Sequence, residues 1–219
     1  MRIPSAVQDV LRQKIPHQEK IVLLKKIQEQ DTDCTVINSF IHAEDLLVSK
    51  KGVEAADIYE RIAEKAGNPS WLVERQAKTL ARYAYYNIGA GPIDKAHDIY
   101  TQRLGLEPDK AWKKIAEILK KAKGYGYAAQ CYANAGMPGT AARMSEKLKD
   151  VPRAAWYYEL AEEWVRAARM YKRAKLHDKS GECYQRSGFM KLAVQQWKKS
   201  GTLEKHNIGE QTLSNIMGK

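Results

Sequence analysis

The sequence predicts an all-α fold built from consecutive antiparallel helical hairpins, and three observations predict it. The 219 residues are 44% hydrophobic and 9% aromatic, with two Phe, 14 Gly and 7 Pro. That is apolar enough to bury a core, and the balance of Ala, Lys, Glu and Gln favours helix over sheet. Apolar residues also recur at three- and four-residue intervals almost throughout, the pattern of amphipathic helices joined by tight turns. The second half, finally, repeats itself every thirteen residues.

In chain order, the periodicity predicts helices over 5–15, 18–30, 34–49, 53–66, 70–88, 93–104 and 109–122. Ser5, Asp33, Ser70 and Asp109 are suited to N-caps, because a short side-chain oxygen accepts from an orphan amide of the first turn. Gly52, Gly67, Gly89, Gly105 and Gly124 are suited to helix ends, where the left-handed conformation is common. The stretch DKAWKKIAEILKKAK (109–123) places Trp112, Ile115, Leu119 and Ala122 on one side and Lys113, Lys114, Lys120 and Lys121 on the other. It reads as a half-buried helix with a basic outer face.

From residue 125 the register is fixed by columns of small residues. Ala128, Ala141, Ala154, Ala167, Ser180 and Ala193 form the first, and Ala129, Ala142, Ala155, Ala168, Gly181 and Val194 the second. Four residues beyond the first stand Tyr132, Ser145, Tyr158, Tyr171, Tyr184 and Trp197, followed by Ala135, Leu148, Ala161, Ala174, Ser187 and Ser200. Thirteen residues make one helix of about ten residues, roughly 15 Å long, plus a turn. Small residues let neighbouring helices approach, and an aromatic one turn later fills the space between them. Gly136, Pro138, Pro152, Gly188 and Gly201 are expected in the inter-helix segments.

Upstream, Ala43, Ala55 and Tyr59, and again Leu80, Tyr83, Ala84, Ala96, Tyr100 and Pro108, have offsets that resemble two degenerate tetratricopeptide repeats over about 34–108. Asn87 and Arg103 depart from that pattern, and Ala55 and Ala96 are 41 residues apart where the family has 34, a difference of two helical turns that an elongated 70–88 helix would absorb. The compact half, with AAQCYANAG (128–136) and AARMYKRAK (167–175), resembles the short hairpins of vesicle-coat and ciliary-transport scaffolds. These resemblances imply a right-handed α-α solenoid, with degenerate hairpins over 34–124 and compact 26-residue hairpins over 125–201; helical periodicity adds N-terminal helices over 1–33 and a tail or cap over 202–219 in which Leu213, Ile216 and Met217 keep helical spacing.

Nothing in the sequence points to catalysis. Cys34, Cys131 and Cys183 are odd in number and widely spaced, which suggests neither a disulfide framework nor a zinc site. The five histidines, His17, His42, His97, His177 and His206, fall on different elements without an HExxH. GYGYAA (124–129) and GAGPIDK (89–95) are Gly-containing turns that follow no predicted strand, so they read as helix connections and not as phosphate loops. No stretch approaches a membrane-spanning length of apolar residues. The expectation is a cytoplasmic non-enzyme without cofactor or metal.

Charge carries more information. Lys and Arg number 37 against 26 Asp and Glu, a net +11. Between Trp164 and Lys199 ten Lys or Arg face two acids, a local +8. The hairpin period brings Lys147, Arg173 and Lys199 into register, with Arg143 and Arg169 a second matched set and Arg166 beside them. Arg169 and Arg173 lie roughly opposite Tyr171 around the helix, so they face out when the ring faces in. Trp156 lies about 160° from Tyr158, and Tyr83 and Tyr86 lie away from the Val73, Ala77, Leu80, Ala84 stripe; all three are candidate contact residues. Such a row of cations could attract an acidic protein segment, a phospholipid headgroup surface or an RNA backbone. The expected function is a scaffold or adaptor that holds a peptide or helix of a protein partner on this basic surface, acidic partners being steered to it. RNA binding by the same cations and aromatics is the alternative.

Overall fold

The structure is a computed structural model that describes residues 2–30, 34–86, 91–206, 214 and 218, without the side chain of Tyr85. Among the described residues every regular element is helical. The chain divides into two compact units, Met1–Lys123 and Gly124–Lys219.

The first unit contains α1 (Ser5–Arg12), α2 (His17–Gln28), α3 (Cys34–Val48), α4 (Gly52–Lys65), α5 (Ser70–Tyr83), α6 (Gly91–Asp98) and α7 (Pro108–Lys121). From α1 to α7 each helix packs on its neighbour in sequence, and α5 also meets α7. Apolar stripes set these faces: Val7, Val10 and Leu11 of α1 are buried, as are Ala111, Ile115, Ala116 and Leu119 of α7.

Several local expectations change in this unit. Ser5, Ser70 and Asp109 lie inside their first turns, while Pro4, Pro69 and Glu107 occupy the cap positions without side-chain cap bonds. The extended backbone of Pro4 and Pro69 leads the chain into the helix with φ already restricted by the ring. Asp33 and Gly89 lie outside the described residues. The expected 70–88 helix leaves α geometry after Tyr83 and tightens into a 3-10 turn over Ala84–Tyr86. There Tyr83 turns inward, and its hydroxyl donates to the Leu47 carbonyl at 3.1 Å. Gly52 begins α4 instead of ending α3, and the Tyr83 side chain fills the space a Cβ there would need. The expected 93–104 helix continues from α6 as a π-helical turn over Ile99–Arg103, with Ile99 and Tyr100 buried.

The second unit is regular: α8 (Tyr125–Asn134), α9 (Pro138–Lys147), α10 (Val151–Leu160), α11 (Trp164–Arg173), α12 (His177–Arg186) and α13 (Met190–Ser200), with a 3-10 turn over Leu203–His206. Each helix packs on the one before and the one after it. Both small columns and the aromatic column are buried without exception. Cys131, Met144, Tyr157, Cys183 and Gln196 form a further buried column in the same register, interrupted at Met170, which is partly exposed. The fourth column marks the helix ends: Ala135, Leu148, Ala161, Ala174 and Ser187 are C-caps, and Leu148 is about half exposed. Pro138 and Pro152 belong to the first turns of α9 and α10, where a missing N–H costs nothing. The cap expected from Leu213, Ile216 and Met217 lies outside the described residues.

The turns repeat as strictly as the helices. Gly136, Lys149, Glu162, Lys175, Gly188 and Gly201 all have positive φ, between 57° and 81°. In each case the next amide donates to the carbonyl of the aromatic-column residue, from Met137 to Tyr132 (2.8 Å) through Thr202 to Trp197 (3.0 Å). This six-to-one bond ends each helix in a Schellman motif. Lys149, Glu162 and Lys175 carry a Cβ in a conformation that disfavours one by roughly 1–2 kcal/mol. A chain with Gly at all three positions is expected to unfold at higher denaturant concentration, although the greater freedom of Gly in the unfolded chain offsets part of the gain. An unchanged or lower midpoint would show that these side chains stabilise the turns.

Candidate functional site

The cations singled out by the sequence are exposed on the second unit. Arg143 and Lys147 stand on α9, Arg166, Arg169 and Arg173 on α11, and Lys199 on α13. The first turn of α11 ties Arg166 to Glu163 at 2.6 Å, with its guanidinium over the Tyr158 ring. The other five have no acidic partner among the described residues. Arg143 donates to the Thr140 hydroxyl at 3.2 Å, Arg173 to the Met170 sulfur at 3.6 Å, and the Lys147 ammonium lies 5.5 Å from the Tyr125 ring centroid. Exposed charges attract ions of opposite sign through a field that weakens with salt, and exposed Glu146 stands between Arg143 and Lys147 on α9.

Trp156 is 51% exposed, as its position around the helix predicts, and its ring meets Tyr157 at 4.8 Å. Tyr86, in the first unit, is half exposed. Tyr83 is a correction: it is buried, so its ring is closed to a binding protein. Its burial comes from Gly52, a packing relation that the stripe on its own helix does not reveal.

Leu160 was not singled out by sequence reasoning, yet it is 54% exposed. The signal was present in the register. Trp156 occupies in α10 the position of Arg143 in α9 and Arg169 in α11, while Leu160 occupies that of Lys147 and Arg173. Trp156 and Leu160 are four residues apart and share a face. Leu176 and Phe189, thirteen residues apart, are exposed to a similar degree.

The polar side of the repeat is tied into the core. Tyr158 and Tyr171 donate to Glu146 and Glu159, each twelve residues earlier, at 3.1 and 2.6 Å. Ser180, the exception in the first small column, donates to the Ala168 carbonyl at 2.8 Å. Burial pushes the Cys183 thiol up to about 12, with the Glu159 charge adding to it, so this cysteine is poorly nucleophilic.

In the first unit a buried ionic cluster centres on Glu44, which replaces an apolar residue on the buried face of α3 between Phe40 and Leu47. Its carboxylate accepts from His17 Nδ1 at 2.5 Å, from the Tyr59 hydroxyl at 2.8 Å and from Arg75. Burial pushes the Glu44 carboxyl up, but the His17 hydrogen bond, the Arg75 charge and the Tyr59 hydroxyl outweigh it and hold it at about 2. A carboxylate only accepts, so the His17 Nδ1 carries the proton. Among the described residues no three His, Cys, Asp or Glu side chains converge as metal ligands, and no helix is long and apolar enough to cross a membrane.

The described residues therefore form an all-helical protein in which, within each unit, consecutive helices pack on one another, an arrangement compatible with a helical-repeat solenoid. Its sequence matches no family model and no curated protein.

Proposed function

We propose that the chain is a non-enzymatic adaptor, a right-handed solenoid of antiparallel helical hairpins similar to tetratricopeptide repeats, whose second unit holds an acidic segment of a partner protein. One observation carries this reading: Arg143, Lys147, Arg169, Arg173 and Lys199 on α9, α11 and α13 are exposed and have no acidic partner among the described residues, and Trp156 and Leu160 of α10 are exposed as well. A desolvated aromatic anchor supplies affinity, while the cations supply attraction and orientation. The partner this favours is an acidic peptide or helix with an apolar side chain of its own.

The test compares affinity purification and mass spectrometry for the parent chain, for the triple variant Lys147→Glu, Arg173→Glu, Lys199→Glu, and for Trp156→Ala. Acidic partners are expected to vanish from the triple variant and to weaken in Trp156→Ala, both variants melting like the parent. A partner list unchanged by the charge reversal overturns the reading.

RNA binding is the second reading, favoured by the exposed ring of Trp156, on which a base could stack. It requires that unrelated single-stranded RNAs bind with a steep salt dependence and that Trp156→Ala removes that binding.

A further inference from the structure

A cleft of about 540 Å³ opens in the first unit between α1, α2 and α5, with Leu47 of α3 among its lining residues. Arg12, Lys14, Lys20, Arg75, Lys78 and Arg82 line it, together with His17, and no Asp or Glu does. An adjoining cavity of about 520 Å³ shares Lys14, Lys78 and Arg82 and adds Lys121. The first volume falls in the range of small-molecule sites, roughly 300–1,000 Å³.

The counter-charges near this cleft are already committed. Glu44 is fully buried and engaged by His17, Tyr59 and Arg75. Glu74 bridges Lys78 and Lys114 at 3.0 and 2.7 Å. Arg12, Lys14, Lys20 and Arg82 then have no acidic hydrogen-bond or ion-pair partner among the described residues.

Lys20 is the most telling of them. Only 5% of it is exposed, and its ammonium, with three donors, makes one hydrogen bond, to the Leu11 carbonyl at 3.1 Å. Arg75 donates to the same carbonyl at 2.7 Å, which places the two cations side by side. Burial, then the charge of Arg75, lowers the Lys20 ammonium below its usual range, and Arg82 adds to this more weakly than Glu44 opposes it. Like charges gathered in a concave, partly desolvated site repel one another until an anion enters, and the walls focus their field on the space between.

We infer that this cleft binds a small phosphate-bearing anion of two or more negative charges, with Lys20 at its inner end and Arg12, Lys14 and Arg82 around its mouth. Several unmatched cations leave a single carboxylate insufficient, and guanidinium groups match phosphate oxygens in pairs. The site lies in the first unit and does not depend on the surface proposed for the second; either can fail without the other. The same phosphate group occurs free in solution or on a lipid headgroup.

The test titrates the full chain with inorganic pyrophosphate by calorimetry. Saturable one-to-one binding is expected, weakened about tenfold or more by Arg82→Ala and by Lys20→Met, since losing one charge-assisted bond to the ligand is a factor of about ten or more. Lys172→Ala, on the exposed face of α11, is expected to bind like the parent. Arg82 is exposed, so its variant tests the site even if Lys20→Met fails to fold. The inference is overturned if no saturable heat is seen, if Arg82→Ala binds like the parent, or if Lys172→Ala weakens binding equally. Flotation with phosphatidylcholine vesicles, with and without phosphatidic acid, separates the two sources. Capture by phosphatidic acid that pyrophosphate reverses assigns the phosphate to a headgroup, and indifference to vesicles alongside pyrophosphate binding assigns it to a soluble ligand.

Discussion

Replacement of Glu44 by Gln is expected to lower the stability of the first unit by about 3–5 kcal/mol, the cost typical of removing one member of a buried ion pair. The amide still accepts one hydrogen bond, but Arg75 then lies against Tyr59, 5.1 Å from the ring centroid, with no counter-charge. The same carboxylate sets a pH dependence. Its pKa is about 2 in the folded chain against an ordinary 4.5, so its contribution is present above about 4.5 and is lost as pH falls from there toward 2. At about 1.4 kcal/mol per unit the difference amounts to roughly 3 kcal/mol. Urea denaturation across that range should show a steep loss in the parent and a shallower one in Glu44→Gln; parallel curves would show that Glu44 is not the group responsible.

Gly181→Ala is the second large effect, and its sign is the informative part. In an exposed helix interior this change stabilises by about 1 kcal/mol. Here it is expected to destabilise by about 1–3 kcal/mol, because a Cβ at Gly181 would overlap the Trp197 indole, a rigid and fully buried ring. The repeat explains the pairing. Gly181 precedes Trp197 by sixteen residues, as Ala168 precedes Tyr184 and Ala155 precedes Tyr171. Where the aromatic column widens from Tyr to Trp, the small column narrows from Ala to Gly. Combined with Trp197→Tyr, Gly181→Ala should therefore cost much less than it does alone, and a double-mutant cycle by thermal melting reads the coupling. Additive effects would show that the two positions do not share this space.

Both effects depend on partners that local patterns do not display. The thirteen-residue columns were legible because burial on one helix face leaves a period in the chain, and the buried small and aromatic residues follow it. The exposed cations were legible for the complementary reason, being the residues opposite the rings. Leu160 was readable from the same columns but requires comparing what different helices place at one register. Tyr83 departs from its expected exposure because the space it enters is created by Gly52, thirty-one residues away. The cationic cleft was not legible at all: Arg12, Lys20 and Arg82 come from three helices, and nothing in their spacing announces a shared cavity.

The sequence by itself determined the helical class, the turn spacing and the inner and outer faces of the second unit, since each depends on residues within a few turns of one another. Only the tertiary structure decided which charges are matched. Glu44 finds His17, Tyr59 and Arg75 on three other helices, and Lys20 is buried beside Arg75 with no carboxylate partner among the described residues. Electrostatic interaction depends on distance through space and on exclusion of water, and neither is a property of spacing along the chain.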